Sequence, residues 1–339
     1  MDLYQNLPKP FLVLAPMDDV TDTVFRRVVG SCAAPDLYFT EFVNVDGLQS
    51  VGRPRLLKKL QFTETEQPLI AQIWGKTPEN YFKTAQQIAD GTFARELGLP
   101  EGVNFAGVDI NMGCPDKTIV NNGSCAALIN DRALAEAIIK ATKDGLDGRL
   151  PLSVKTRVGF NAPDMTWIEF LLSQNLKALI IHGRTRKEMS KVPANWDLIG
   201  QARELRDQQA PETLIIGNGD VMNRQQALEL TEEYKLDGVM IGRGVFHDPF
   251  AFTENSPWAE FSVEQKFDLY RRHVELFKEM WPNNARPIQT LNKFCKIYIN
   301  GFDGAKEMRE KLMQATNSDE LLELLRVGQD FAPRQEVVA

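Results

Sequence analysis

Eight short apolar runs, most of them rich in β-branched residues, recur along the chain at 11–15, 37–41, 69–73, 107–111, 152–156, 178–182, 214–218 and 238–242. The segments between them carry helical periodicity. The clearest covers 78–89, with Thr77 placed to cap it and Pro78 in its first turn. Strands alternating with helices imply βαβ units and a parallel sheet. Eight strands that are nearly continuous in hydrophobicity suggest a sheet closed into a barrel. After Gly244 the pattern changes. Residues 262–280 repeat apolar side chains at helical spacing with Ser262 as the cap, and 286–299, 305–314 and 319–327 read as three further helices. The expected architecture is therefore α/β: a TIM (β/α)8 barrel over 1–250, followed by a small C-terminal helical bundle over 256–330. The tail, 329–339, is expected to fray.

Composition narrows this picture without changing it. At 339 residues the chain has room for one barrel of roughly 250 residues and a small appendage. A hydrophobic share of 43% with 25% charged residues is ordinary for a globular protein. Four cysteines without paired spacing argue against a disulfide framework and fit a reducing compartment. The stretch from Met1 to Pro8 lacks a basic region followed by an apolar core, so it does not read as a signal peptide. No apolar run approaches the roughly 20 residues that span a bilayer. A cytoplasmic monomer without a membrane segment is the expectation. The net charge of −7 counts against a polyanionic partner, although a local basic patch can bind phosphates on an acidic protein.

The chemistry lies where the runs end: Pro16 and Met17, Glu41, Gln72, Asn111 then Cys114, Lys155 then Arg157, His182 then Arg184, Asn218 then Asp220, and Gly242 then Arg243. In a TIM barrel these positions share the C-terminal face, where active sites sit. Any one of them alone reads more readily as structural; their convergence carries the argument. The central stretch, 107–125, runs from a buried strand through Gly113 to Cys114 and on into a loop of Asn, Gly and Ser. A free cysteine is often only a small buried hydrophobe. At a strand end opening into a loop, however, Cys114 becomes a candidate reactive thiol. Cys125 precedes an apolar helix entry and is read as structural. The glycine-bearing junctions at 217–220 and 242–244 follow strands seven and eight, the usual phosphate site of such barrels. The basic residues Arg271, Arg272, Lys278, Arg286, Lys293 and Lys296 of the bundle read first as solvated helix faces, and His273 as packing.

Taken together the motifs resemble those of the tRNA-dihydrouridine synthases, a family of flavin enzymes. They are Leu14-Ala-Pro-Met17, Thr40-Glu-Phe42, Ala71-Gln-Ile73, Asp109-Ile-Asn-Met-Gly-Cys-Pro115, Val154-Lys-Thr-Arg157, His182-Gly-Arg-Thr185, Gly217-Asn-Gly-Asp220 and Ile241-Gly-Arg-Gly244. Their order covers essentially the whole chain. The resemblance implies FMN at the C-terminal face of the barrel, NADPH as reductant, and a helical domain that completes a groove for tRNA. It places Ala15, Pro16, Met17 and Gln72 along the isoalloxazine and Lys155 at the ring or ribityl chain. His182, Asn218, Gly219, Asp220, Gly242 and Arg243 fall to the phosphate. Asn111 and Arg184 would hold the target uracil, Cys114 would donate the proton, and Lys293 and Lys296 would contact the RNA; no metal is implied. Thr40-Glu-Phe-Val43 and His182-Gly-Arg-Thr185 look most like the branch acting at position 16 of the D-loop. The absence of a dinucleotide fingerprint favours FMN over FAD. One departure is Cys125, where relatives usually carry glycine or another small residue. Two other readings stay open: an FMN-dependent oxidoreductase of a free pyrimidine, similar to dihydroorotate dehydrogenase, and a tRNA-binding chaperone without chemistry.

Overall fold

The computed structural model describes residues 3–331, with side-chain surroundings up to Gly328. Its strands are β1 (Phe11–Leu14), β2 (Tyr38–Phe39), β3 (Val43–Asn44), β4 (Leu69–Trp74), β5 (Gly107–Met112), β6 (Leu152–Arg157), β7 (Ala178–His182), β8 (Leu214–Asn218) and β9 (Gly238–Ile241). They pair in the order β1-β9-β8-β7-β6-β5-β4-β2, every pair parallel, and a bridge between Val13 and Leu37 joins the two ends. The eight apolar runs thus become the staves of a (β/α)8 barrel. The second is shorter than its sequence suggests. At its end Gln72 N donates to Thr40 Oγ1 (3.0 Å) instead of to a backbone carbonyl. The Glu41 carboxylate accepts from Asp19 N (2.7 Å), and pairing with β4 resumes only at β3.

Alternation along the strands sorts their side chains. Phe11, Val13, Ala15, Phe39, Ile70, Ala178, Ile180, Ile216 and Met240 form one buried cluster in the lumen, while Leu12, Leu14, Ala71, Val108, Ile110 and Val154 join the larger cluster beneath the helices. Toward the strands' C-terminal ends the inward positions turn polar. Register sets Gln72 beside Asp109, Asp109 beside Ser153, Asn111 beside Lys155, and His182 beside Asn218. The apolar floor and polar mouth come from one period-two pattern.

The helix Pro78–Ala89 covers the span its periodicity predicts, but Thr77 makes no side-chain cap bond, so the proline alone marks its start. Ser262 does cap the helix Val263–Met280. Its Oγ accepts from Gln265 N (3.2 Å) while Gln265 Oε1 accepts from Ser262 N (2.8 Å). The expected helix over 286–299 is instead a 3-10 helix, Ile288–Phe294, followed by the short α-helix Cys295–Tyr298. Within the 3-10 segment the buried residues Ile288, Leu291 and Phe294 recur every third position, which aligns on a 3-10 face and drifts off an α-helical one. Helices Ala305–Leu312 and Ser318–Phe331 follow, and the rest of the expected tail lies outside the described residues.

Barrel and bundle share one core. Phe25, from the helix Thr23–Cys32 after β1, lies 4.6 Å from Phe294 and 5.8 Å from His273, ring centre to ring centre. Phe246 stacks on Phe294 at 6.1 Å. Beside this contact Arg26 and Glu66 form a fully buried ion pair at 2.7 Å. Arg26 also donates to the carbonyls of Thr21 and Gln61, and Thr23 and Thr63 donate to Glu66, so neither charge is left unpaired.

Candidate active site

The polar mouth encloses a cavity of about 570 Å³. Of the residues singled out in the sequence, Ala15, Pro16, Met17, Lys155, His182, Arg184, Asn218, Gly219, Asp220, Gly242 and Arg243 line it. Gln72 and Asn111 sit behind its wall, buried, and Cys114 stands half-buried next to the lining residue Pro115. Lys293 and Lys296 belong to the bundle and are exposed. Arg157, noted at its strand end but given no role, also lines the cavity, as do Met189, Met222 and His247, which the sequence did not single out.

One side of the cavity is built for an anion. Lys155, Arg157, Arg184 and Arg243 face it against the single carboxylate Asp220. Asp220 accepts from Arg184 Nη2, from Arg243 Nη2 (2.9 Å) and from Ala194 N (2.9 Å), which keeps its carboxyl below the usual range despite partial burial. Arg184, 3% exposed, also donates to Val192 O (2.5 Å) and to His182 Nε2 (3.2 Å). A guanidinium has only donors, so Nε2 accepts and the His182 proton sits on Nδ1. Burial, then the neighbouring Arg157 and Lys155, drive the imidazole well below its ordinary value, so it is neutral at pH 7. Gly219 has φ +135°, and a methyl there would lie 2.5 Å from the Ala194 side chain. At Gly242 a methyl would make only ordinary contact with Ala15 (3.5 Å); that glycine serves to open backbone to the cavity, not to relieve packing.

Lys155 Nζ donates to Asn218 Oδ1 (2.9 Å), and Asn218 Nδ2 donates to Met240 O (2.9 Å). Burial pushes the ammonium down to about 8. On the neighbouring strand β5, near its end, Asn111 Oδ1 accepts from Gly113 N (3.0 Å) and Cys114 N (2.9 Å). This Asx-type turn fixes the backbone that presents the thiol. Arg157 reinforces it from below, donating to Gly113 O (2.7 Å), Thr185 O (3.1 Å) and Met189 O (3.0 Å). Cys125, fully buried with φ +52°, is the neighbour that does most to lower the Cys114 thiol. Burial pushes Cys125 well up, so it remains protonated.

Residues 13–335 match the family model described as Dihydrouridine synthase (Dus). The chain is 45% identical over 327 residues to a protein of Bacillus subtilis strain 168 named probable tRNA-dihydrouridine synthase 2, covering 96% of this chain and 95% of that one. It is 43% identical over the same length to a probable tRNA-dihydrouridine synthase of Staphylococcus aureus strain MRSA252, covering 96% and 94%. The chain belongs to the dihydrouridine synthase family. Among solved structures, histamine dehydrogenase from Rhizobium sp. 4-9 aligns over 81% of this chain and 51% of its own, with a TM-score of 0.52 at 9% identity. A 2-naphthoyl-CoA reductase aligns over 73% and 51% with the same score at 13% identity. At such identities these two share the barrel fold with this member of the family and nothing more.

Proposed function

We propose that the chain reduces the C5–C6 double bond of a D-loop uridine in tRNA to 5,6-dihydrouridine, with FMN in the barrel mouth and NADPH as reductant. Family membership supports the uridine chemistry and the tRNA substrate. The observation that carries the site assignment is the pairing of a cation-lined, glycine-floored cavity with a thiol whose backbone is pinned by Asn111 at a strand end of the same rim. The cavity fits a phosphate-bearing flavin: the His182 Nδ1–H, the Arg243 guanidinium and the backbone at Gly219 and Gly242 are donors for the phosphate, with Asp220 holding Arg243 and Asn218 holding Lys155. Ala15, Pro16 and Met17 offer an apolar edge to the ring. Gln72 has one N–H left for it, and Lys155 a positive charge that favours an anionic reduced ring.

FMN, when bound and reduced, supplies the hydride for one carbon of the uracil. The other carbon needs a proton, which Cys114 holds on Sγ. The buried Cys125 thiol beside it lowers the Cys114 thiol below its ordinary value, which favours the thiolate left after transfer. Asn111 and Arg184 orient the uracil. Arg184 keeps two of its five N–H donors after meeting Asp220, Val192 and His182, and Asn111 keeps one, so both address carbonyl oxygens. The likeness of Thr40-Glu-Phe-Val43 and His182-Gly-Arg-Thr185 to the position-16 branch directs the reading to that uridine.

The test separates the two half-reactions. Cys114→Ala should keep its flavin and its NADPH oxidation while tRNA turnover falls about 10²–10⁴-fold. Equal losses in both half-reactions, or none, would overturn the assignment of Cys114. Heat release and mass analysis of the cofactor should give FMN, and mapping of dihydrouridine in tRNA from a strain lacking the protein should show position 16 unmodified.

A further inference from the structure

Behind the cavity wall the inward side chains of three neighbouring strands form one hydrogen-bonded line. Ser153 Oγ on β6 donates to Asp109 Oδ1 (2.6 Å), and Gln72 Nε2 on β4 donates to Asp109 Oδ2 (2.7 Å). Asn111 Nδ2 on β5 donates to Gln72 Oε1 (3.0 Å), and Asn111 Oδ1 accepts from the backbone of Gly113 and Cys114. Ser153, Asp109 and Gln72 are fully buried, and Asn111 is 6% exposed.

The order of donors along this line has only one solution. Gly113 and Cys114 can offer Asn111 only N–H groups, so its carbonyl must face them and its amide nitrogen must face Gln72. Gln72 must then turn its carbonyl toward Asn111 and its nitrogen toward β5, where only an acceptor will serve. Asp109 is that acceptor. With an apolar side chain in its place, the Gln72 nitrogen would be buried without a partner, at about 1–3 kcal/mol. Rotating the amide to escape would set two nitrogens against each other at Asn111. The loop bearing Cys114 would lose the anchor of its turn.

We infer that Asp109 is a positioning residue of the reaction: with Ser153 it fixes the amide orientations of Gln72 and Asn111, and through them the backbone that presents Cys114. With these orientations fixed, Gln72 and Asn111 each keep one amide N–H that the line does not use. The groups they recognise are therefore acceptors, such as ring carbonyl oxygens. The inference rests on the reading of Cys114 as proton donor only in its consequence for turnover, since the position of the loop can be read directly.

The experiment uses flavin-loaded Asp109→Ala, Asp109→Leu and Asp109→Asn proteins with tRNA as substrate. Loss of the acceptor in the alanine and leucine variants should lower kcat for tRNA reduction about 10–100-fold, the usual effect of removing a partner that orients a reacting group. Measured per bound flavin, NADPH oxidation should fall far less than tRNA reduction, since Gln72 also meets the flavin ring. Asp109→Asn can still accept from Gln72 while donating to Ser153, and should recover turnover to within a few-fold of wild type. Alkylation of Cys114 by iodoacetamide at fixed pH should change several-fold in the alanine and leucine variants and be restored in the asparagine variant; it reports the loop whether or not Cys114 is the donor. Wild-type turnover in the apolar variants, an asparagine variant as impaired as alanine, or losses that track flavin content would each overturn the inference. So would failure of both apolar variants to fold, which would make Asp109 structural. Cys114→Ala with full turnover would instead sink the proton-donor reading and leave the alkylation result standing.

Discussion

Taking away the Cys125 thiol removes the neighbour that most lowers Cys114, while the burial that opposes ionisation remains. The sign follows: Cys125→Ala should raise the Cys114 pKa, shift the alkylation-rate profile of Cys114 to higher pH and slow alkylation at pH 7. Cys125→Ser keeps a donor and should fall between alanine and wild type. An alanine profile superimposable on wild type would show that the two sulfurs do not communicate. At this scale the sequence was legible wherever a residue type sat at a strand end. Lys155, His182, Asn218 and Arg243 could be picked out because strand ends of a parallel barrel share one face. Asp109 and Ser153 could not, since a polar residue inside an apolar run gives no sign of which neighbour strand will meet it. Arg157 was visible, but its three carbonyl partners lie on two other loops. Cys125 was read as packing because nothing local shows the chain folding back on Cys114.

Among the elements, the helix Val263–Met280 was legible to its cap, because a capping box and an amphipathic repeat are both local signals. The 3-10 helix Ile288–Phe294 was not, since three- and four-residue spacings blur over so short a segment. Within the long helix, His273 was expected to pack. It does, with Nδ1 2.9 Å from the Tyr298 hydroxyl and Nε2 buried without a partner. Burial pushes it down to about 3. The unfolded chain takes up a proton near pH 6.5, whereas the folded chain does so only near 3. Between those values the unfolded state binds more protons, so stability falls as the pH is lowered. His273→Gln can still bond Tyr298 and cannot titrate. Its Tm should decline less steeply than that of wild type from pH 7 to 4 in calorimetry; parallel curves would place the acid sensitivity elsewhere.

For the molecule as a whole, a barrel with an appended bundle could be read from periodicity, but the way the two join could not. The junction is built from aromatic rings and from basic residues that read first as solvated helix faces. Arg286 pairs with Asp22 (2.8 Å) and Lys293 donates to Asp19 O (2.7 Å), both on the loop after β1. Arg271, Arg272 and Lys278 pair with Asp268, Glu275 and Asp319. Lys296 is exposed, and charge reversal there tests RNA contact most cleanly. Lys296→Glu should weaken tRNA binding, lower the slope of log K against log salt by about one unit, and leave flavin content intact. Lys293→Glu should also lower Tm, because it disturbs the junction. An unchanged slope for Lys296→Glu would move the RNA path off this face. The closure of the barrel has a consequence for the chain's birth. Phe11 pairs with Gly238, and on its other edge β1 meets β2 only through Val13 and Leu37. At roughly 5–20 residues per second, a ribosome needs on the order of 10–45 s to make the partner of the first strand. Through that interval Phe11 and Val13 have no lumen to enter, and one edge of β1 stays bare, so the nascent chain carries an apolar strand with an open edge until its last staves are made.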